Sequence, residues 1–470
     1  MDNGQQILKC RDDKAPVILS KVIKAKDDME PFTLADGCEC SWLQKGNTLG
    51  TAKLRQRIEP WMTALFQSEH LALLVGSGLT HAVHHIATFA EKKSLPGMKA
   101  IDFDYFNKEI NAEAKRSSDA AGRKEGNIED QIRVANEVLR GVEIIADSFE
   151  GLRDKTNGLE EDLKRAMDDF ASSILKGEAE LMTANEKDLE KAFKYLVNFL
   201  MSFASRNGTR DRLQIFTTNY DRYIEAGAEV AGLHLLDRFI GSMAPIFRSS
   251  RLDIDMHYNP PGIRGEPRYL EGVARFTKLH GSIDWVSAQK SIRRIGLPFG
   301  VKSITPYLEV PGLVGVDAHQ LMIYPNSAKD RETSAYPYVD LFRDFAAAVC
   351  RPNNTLISYG YSFGDEHINR VIEDMLTIPS THLVVISYDD PLNRIMPMYD
   401  RLGRPAQISL LIGDHLGDLQ ALVDNYLPKT AIDQTTIRMA ELLKSRGILG
   451  QTENDDEIID MHETGEGSKA

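Results

Sequence analysis

Four short stretches hold the residue types that chemistry requires: "GSGLT" at 76–80, "TTNYD" at 217–221, "HGSIDW" at 280–285 and "GYSFGD" at 360–365. Each follows a run of apolar residues. In the first, Gly76 and Gly78 flank Ser77 and permit a close backbone approach, with Thr80 near the start of a helix. A helix N-terminus after such a turn favours an anion, a pyrophosphate above all. Asn219 offers a carboxamide that can bond hydroxyl groups or a water. His280 has an imidazole whose intrinsic pKa lies near neutrality, so it can accept a proton. One such stretch alone is weak. Four of them at successive strand ends are hard to assign to packing.

Plainer readings stand beside these. "GSGLT" also reads as a tight strand-to-helix turn. Asn219 and Asp221 also read as a turn and a cap for the helix "DRYIEAGAEV". His280 also reads as a core histidine bonded to backbone. The triplet His81, His84 and His85 in "HAVHH" has metal-ligand spacing, yet no carboxylate or cysteine lies near it in sequence to complete a set. No metal is expected. Asp365 reads as the N-cap of the helix after "GYSF", and His367 as structural. The usual dinucleotide fingerprint needs a third glycine where His81 stands. It also needs an acidic residue roughly twenty positions on, for which Asp102 is poorly placed. An ordinary hydride-transfer dehydrogenase is therefore not expected.

Positioning these residues requires strand ends on one edge of a sheet. A helix over "LRQRIEPWMTALF" leads into the strand "LALLV", and later strands are "LQIFTTNYD", "FTKLHGSIDW", "LMIYP", "TLISYGY", "HLVVIS" and "QISLLI". Short apolar strands alternating with helices predict an α/β fold with a mostly parallel, Rossmann-like sheet covered on both faces. Ligands in such sheets bind at the carboxyl ends of strands. Between the first and second of these strands the chain is helical. Ile128, Ile132, Ala135, Val138, Val142, Ile145 and Phe149 recur at three- and four-residue steps on one face, with Asn127 as N-cap and Asp130 three positions on. A large helical insertion over about 105–208 follows from this periodicity. Three divisions are expected: an N-terminal arm over 1–55, a ligand-binding domain over 56–430, and a C-terminal helix with an acidic tail over 431–470.

With 470 residues and 42% hydrophobic content, the chain can bury a large core. No apolar stretch is long enough for a membrane span and no signal-peptide core is present, so a soluble cytoplasmic protein is expected. The net charge of −13 and the lack of a long basic stripe disfavour direct binding to nucleic acid. Four cysteines (Cys10, Cys38, Cys40 and Cys350) form no CxxC pair, and the "CEC" pair is expected as reduced surface thiols.

In this order, "GSGLT", "TTNYD", "LHGS" and "GYSF" resemble the sirtuin family over roughly residues 60–425. The resemblance implies an NAD-binding domain. By position, Gly76, Ser77, Gly78 and Thr80 would contact phosphate or ribose, and Asn219 would orient the ribose and the attacking group. Asp221 would line the nicotinamide pocket or anchor its loop, His280 would be the base, and Gly360 and Ser362 would support the adenosine side. "KLHGSIDW" and "GYSFGDEHINRVI" are similar to bacterial sirtuin-like NAD hydrolases of antiphage defence, especially those encoded beside a HerA-type ATPase. That likeness implies NAD as substrate, ADP-ribose and nicotinamide as products, a homo-oligomer, and a hexameric HerA-like ATPase as partner. The chain departs from the deacetylases in lacking their four-cysteine zinc module and their Gly-Ile-Pro-Asp-Phe-Arg segment. Other activities stay open: protein deacylation, ADP-ribosyl transfer, or NAD or ADP-ribose sensing without catalysis. A nuclease is the weakest of these, because no metal-binding carboxylate cluster is evident.

Overall fold

A computed structural model describes residues 4–22, 32–89, 94–96, 100–120, 128–149, 151–206, 210–250, 255–258, 268–288, 291–310, 313, 336–390 and 393–429. Residues 1–428 form one compact unit. Asn127, the segment "LMIYP" and the expected C-terminal helix and tail lie outside the described residues.

The fold is α/β, built on an eleven-stranded sheet. In chain order its strands are β1 (Gln5–Lys9), β2 (Val17–Lys21), β3 (Phe32–Leu34), β4 (Thr48–Leu49), β5 (His70–Val75), β6 (Gln214–Thr217), β7 (His234–Leu236), β8 (Val273–Lys278), β9 (Asn354–Tyr359), β10 (His382–Ser387) and β11 (Ile408–Ile412). The spatial order is β4-β3-β2-β1-β11-β10-β9-β5-β6-β8-β7. All pairings from β11 across to β7 are parallel. The run β8-β6-β5-β9-β10-β11 is the doubly wound order of a Rossmann-like sheet, with its switch point between β5 and β9.

Residue alternation explains why both faces are covered. On β5, Leu71, Leu73 and Val75 face one apolar core while Ala72 and Leu74 face another. On β10, Val384 and Ile386 join the first core and Leu383 and Val385 the second. Period-two side chains that are apolar at every position require helices on both sides. The helices are α1 (Thr51–Phe66), α2 (Ser77–Thr88), α3 (Asn107–Ala120), α4 (Ile128–Ile145), α5 (Leu152–Met182), α6 (Glu186–Ala204), α7 (Tyr223–Ala231), α8 (Tyr338–Val349), α9 (Glu366–Leu376) and α10 (Ile395–Leu402).

The helical insertion is α3 to α6. It has a core of its own, in which Phe103, Ile110, Ile132, Leu159 and Leu163 are buried together. Of its helices, α6 packs on the main sheet: Leu196, Phe199, Leu200 and Phe203 belong to the same core as β5.

Two parts of the expected organisation are corrected. The segment 1–55 is no separate arm. Its strands β1 to β4 extend the main sheet, β1 pairing antiparallel with β11 (Ile7 opposite Ile412), and Leu8, Leu19 and Phe32 enter the main core. Cys38 and Cys40 are free thiols, half-buried against that core. A second, four-stranded antiparallel sheet, made of 239–240, 246–247, 285–288 and 291–294, was not expected. Among the described residues, no helix is long and apolar enough to cross a membrane.

Candidate functional site

The ends of β5, β6, β8 and β9 bring the four polar stretches together. At the switch point the backbones of two strand ends touch. A Cβ on Gly78 would lie 2.5 Å from the Gly360 Cα, and one on Gly76 would lie 2.4 Å from the Gly360 carbonyl oxygen. Gly360 also has φ +61°, which L side chains rarely adopt. The Gly76 amide donates to Tyr359 O (3.0 Å) and the Gly78 amide to Gly360 O (3.1 Å). These glycines are therefore explained by close packing of two strand ends. What a phosphate would meet at this place is the N-terminus of α2 and the exposed Ser77.

Asn219 stands at the next strand end. Its Nδ2 donates to Gly76 O (3.0 Å) and to Thr80 Oγ1 (3.0 Å). Thr80 in turn donates to Asp221 Oδ2 (2.7 Å), and Asp221 Oδ1 accepts the Tyr223 amide (3.2 Å). Both carboxylate oxygens of Asp221 thus hold the turn into α7. Both N–H groups of the Asn219 amide are engaged as well, and no hydrogen bond among the described residues engages its Oδ1. An amide oxygen of this kind is an acceptor for a hydroxyl or a water.

β8 pairs with β6 with Lys278 opposite Thr217, and the Leu279 amide donates to Thr217 O (2.8 Å). The strands then lead to His280 and Asn219, each two positions beyond that pair at the ends of adjacent strands and each 8% exposed. The Tyr220 ring lies against the imidazole, with centroids 6.2 Å apart. His280 Nε2 is 2.7 Å from Asp365 Oδ2, and Asp365 Oδ1 caps α9 by accepting the His367 amide (3.1 Å). A carboxylate partner favours the tautomer that carries its proton on Nε2. Ser362 is exposed on the loop between Gly360 and Asp365.

Three supporting residues were missed in the sequence. Asp365 was legible only as a cap. Lys278, nearly fully buried, donates to the carbonyls of Asp221 and Tyr220 and to Glu225 Oε1 (2.9 Å). Burial pushes the Glu225 carboxyl above its ordinary range, with the Lys278 ammonium opposing. Arg222 is buried beside the fully buried Glu178 of α5, at 2.5 Å between Nη2 and Oε2, and its amide donates to Glu178 Oε1 (2.9 Å). Glu178 ties the helical insertion to the turn that carries Asn219 and Asp221. A charged residue directly after "TTNYD" was the one available signal.

The three histidines of α2 part company. His84 is buried against Thr88 Oγ1 (3.3 Å) and Glu180 Oε2 (3.4 Å), while the exposed His85 meets Phe89 edge-on. Among the described residues no group of three or more His, Cys, Asp and Glu side chains is arranged to hold a metal ion.

A family model described as a SIR2-like domain matches residues 213–398. This match supports a sirtuin-like family. It spans β6 to α10 and therefore includes Asn219, His280, Gly360 and Asp365, while Gly76 to Thr80 lie before it. No curated protein matches the chain. SIR2-like domains bind NAD, so the match points to NAD-dependent binding or catalysis.

Proposed function

We propose that this chain is an NAD hydrolase that releases nicotinamide and ADP-ribose. The observation that carries the reading is the His280–Asp365 pair standing beside Asn219 on adjacent strand ends. Nicotinamide leaves NAD as a neutral molecule, so departure needs no general acid, and the transition state resembles an oxocarbenium ion. The chain's own part is to orient the ribose and a water and to move one proton. Asn219 Oδ1 accepts a hydrogen bond from the water or a ribose hydroxyl. The His280 imidazole takes the proton, with Asp365 holding the ring. Thr80 and Asp221 lock the Asn219 amide in place, and Lys278 fixes the carbonyls of the same turn.

The biological setting we propose is an NAD-depleting antiphage effector in the cytoplasm, assembled as a homo-oligomer and controlled by a HerA-like hexameric ATPase. It rests on the likeness of "KLHGSIDW" and "GYSFGDEHINRVI" to such systems. The test is NAD loss with product identification, for the purified chain with and without the ATPase, beside Asn219→Ala and His280→Ala. The expected result is equimolar nicotinamide and ADP-ribose, with turnover lowered about 10²–10⁴-fold by His280→Ala. Nicotinamide release only with an acylated or nucleophilic acceptor would replace hydrolysis by deacylation or ADP-ribosyl transfer. Tight NAD binding with no cleavage under any condition would make the chain a sensor.

A further inference from the structure

A cavity of about 440 Å³ lies between α7, the end of β8 and the four-stranded sheet. None of Asn219, Asp221 and His280 lines it, and it stands independently of the NAD reading. Its walls hold more ionisable groups than a packed core tolerates. Most are paired: Lys278 with Glu225 (2.9 Å), Arg294 with Asp237, Arg238 with Asp344 (2.5 Å) and Arg222 with Glu178 (2.5 Å).

Among the buried groups Asp284 is the exception. It follows the "HGSI" at 280–283, is 8% exposed, and no ion pair among the described residues ends on it. Three buried polar atoms of this cavity's lining residues lack a hydrogen-bond partner: Asp284 Oδ1, Glu225 Oε2 and Arg238 Nη1. Leaving such atoms unmatched costs about 1–3 kcal/mol each, more when charged. Unmatched atoms on three side chains around one cavity point to an occupant that supplies their partners once those side chains turn toward it. Two of the three are carboxylate acceptors, so the occupant must bring N–H donors, and the unpaired carboxylate calls for a positive charge. The remaining atom is a guanidinium donor, which asks for one acceptor. Phe239, Phe247, Trp285 and Phe299 give the cavity apolar, flat walls.

We infer that this cavity is a second ligand site, taking a small molecule with a planar apolar body and a cationic nitrogen that sits on Asp284 and Glu225. Burial holds the Glu225 and Asp237 carboxyls above their ordinary range, and a ligand cation would favour their charged forms.

Benzamidine carries this chemistry and serves as the probe, with benzyl alcohol as its neutral counterpart. Calorimetric titration of the full chain should show saturable binding at one site, with a dissociation constant of about 1 mM or tighter. Benzyl alcohol should bind at least about tenfold more weakly, and Asp284→Asn should weaken benzamidine by a similar factor, as expected for loss of one charge-assisted hydrogen bond. Ala226→Leu, which fills the cavity from α7 without touching its charges, should abolish binding; Ala226 lines the cavity and is only half-buried. Circular dichroism reports whether each variant is folded, and Ala226→Leu decides alone if Asp284→Asn does not fold. Absence of saturable binding, equal affinity for the neutral compound, or unchanged affinity in a folded variant overturns the site.

Discussion

His280 Nε2 meets Asp365 Oδ2 at 2.7 Å, joining the end of β8 to the cap of α9 across 85 positions of chain. One carboxylate therefore serves two purposes. Its Oδ2 fixes the imidazole, and its Oδ1 satisfies a first-turn amide of a helix. The two purposes respond differently to substitution.

Asparagine caps helices about as well as aspartate does. Asp365→Asn should therefore leave stability within about 0.5 kcal/mol of the parent. The amide can, however, place a donor against Nε2 and select the wrong tautomer. NAD turnover should fall by at least about tenfold, mostly in kcat, as for orienting carboxylates elsewhere. Parallel thermal melts and initial rates separate the two effects. An equal loss in Asp365→Ala and Asp365→Asn melts would show that the carboxylate acts on the fold alone.

The contact of Gly78 with Gly360 gives a second expectation. A methyl group at either position enters backbone rather than open space, and at Gly360 it also forces a left-handed conformation. Gly78→Ala and Gly360→Ala should each lose more than about 2 kcal/mol in denaturant unfolding. Were these glycines present only to admit a ligand, both variants would melt like the parent and lose only NAD affinity.

A third expectation concerns pH. His382 donates or accepts at Ser409 Oγ (2.9 Å) and meets Trp61 edge-on, and burial, with help from the Lys9 charge, lowers its pKa from 6.5 to about 4. The unfolded chain then binds the extra proton first as pH falls. The stability this histidine confers is complete above about pH 6.5 and is lost as pH falls toward 4. Unfolding free energies at pH 7.5 and pH 5 should differ by up to about 2 kcal/mol on this account. His382→Gln should lack that component, and an unaltered pH slope in the variant would assign it elsewhere.

Much of the architecture was legible because it is periodic. The alternation of apolar strands and helices gives the parallel sheet, and three- and four-residue spacing gives the helical insertion. Asn219 and His280 stood out in the sequence as polar residues directly after apolar strands. What escaped notice depends on distant partners. Asp365 looks like any cap until β8 is placed beside it. Lys278 reads as a surface residue at a strand end, yet its ammonium is enclosed by the carbonyls of 220 and 221. The four-stranded sheet uses strands of two to four residues, too short for any period to register. The strands β1 to β4 are also short, and their place is set by pairing with β11 at the far end of the unit.

That last pairing bears on how the molecule is made. Synthesis runs from the N-terminus, and β1 can pair with β2 at once, but it meets β11 (Ile7 opposite Ile412) only when nearly all of the compact unit has been translated. During that interval the apolar segments that become β1 to β3 wait without their sheet, and a chain deprived of them would carry the open flank of β11 into solution, where unpaired amides and carbonyls recruit neighbouring chains.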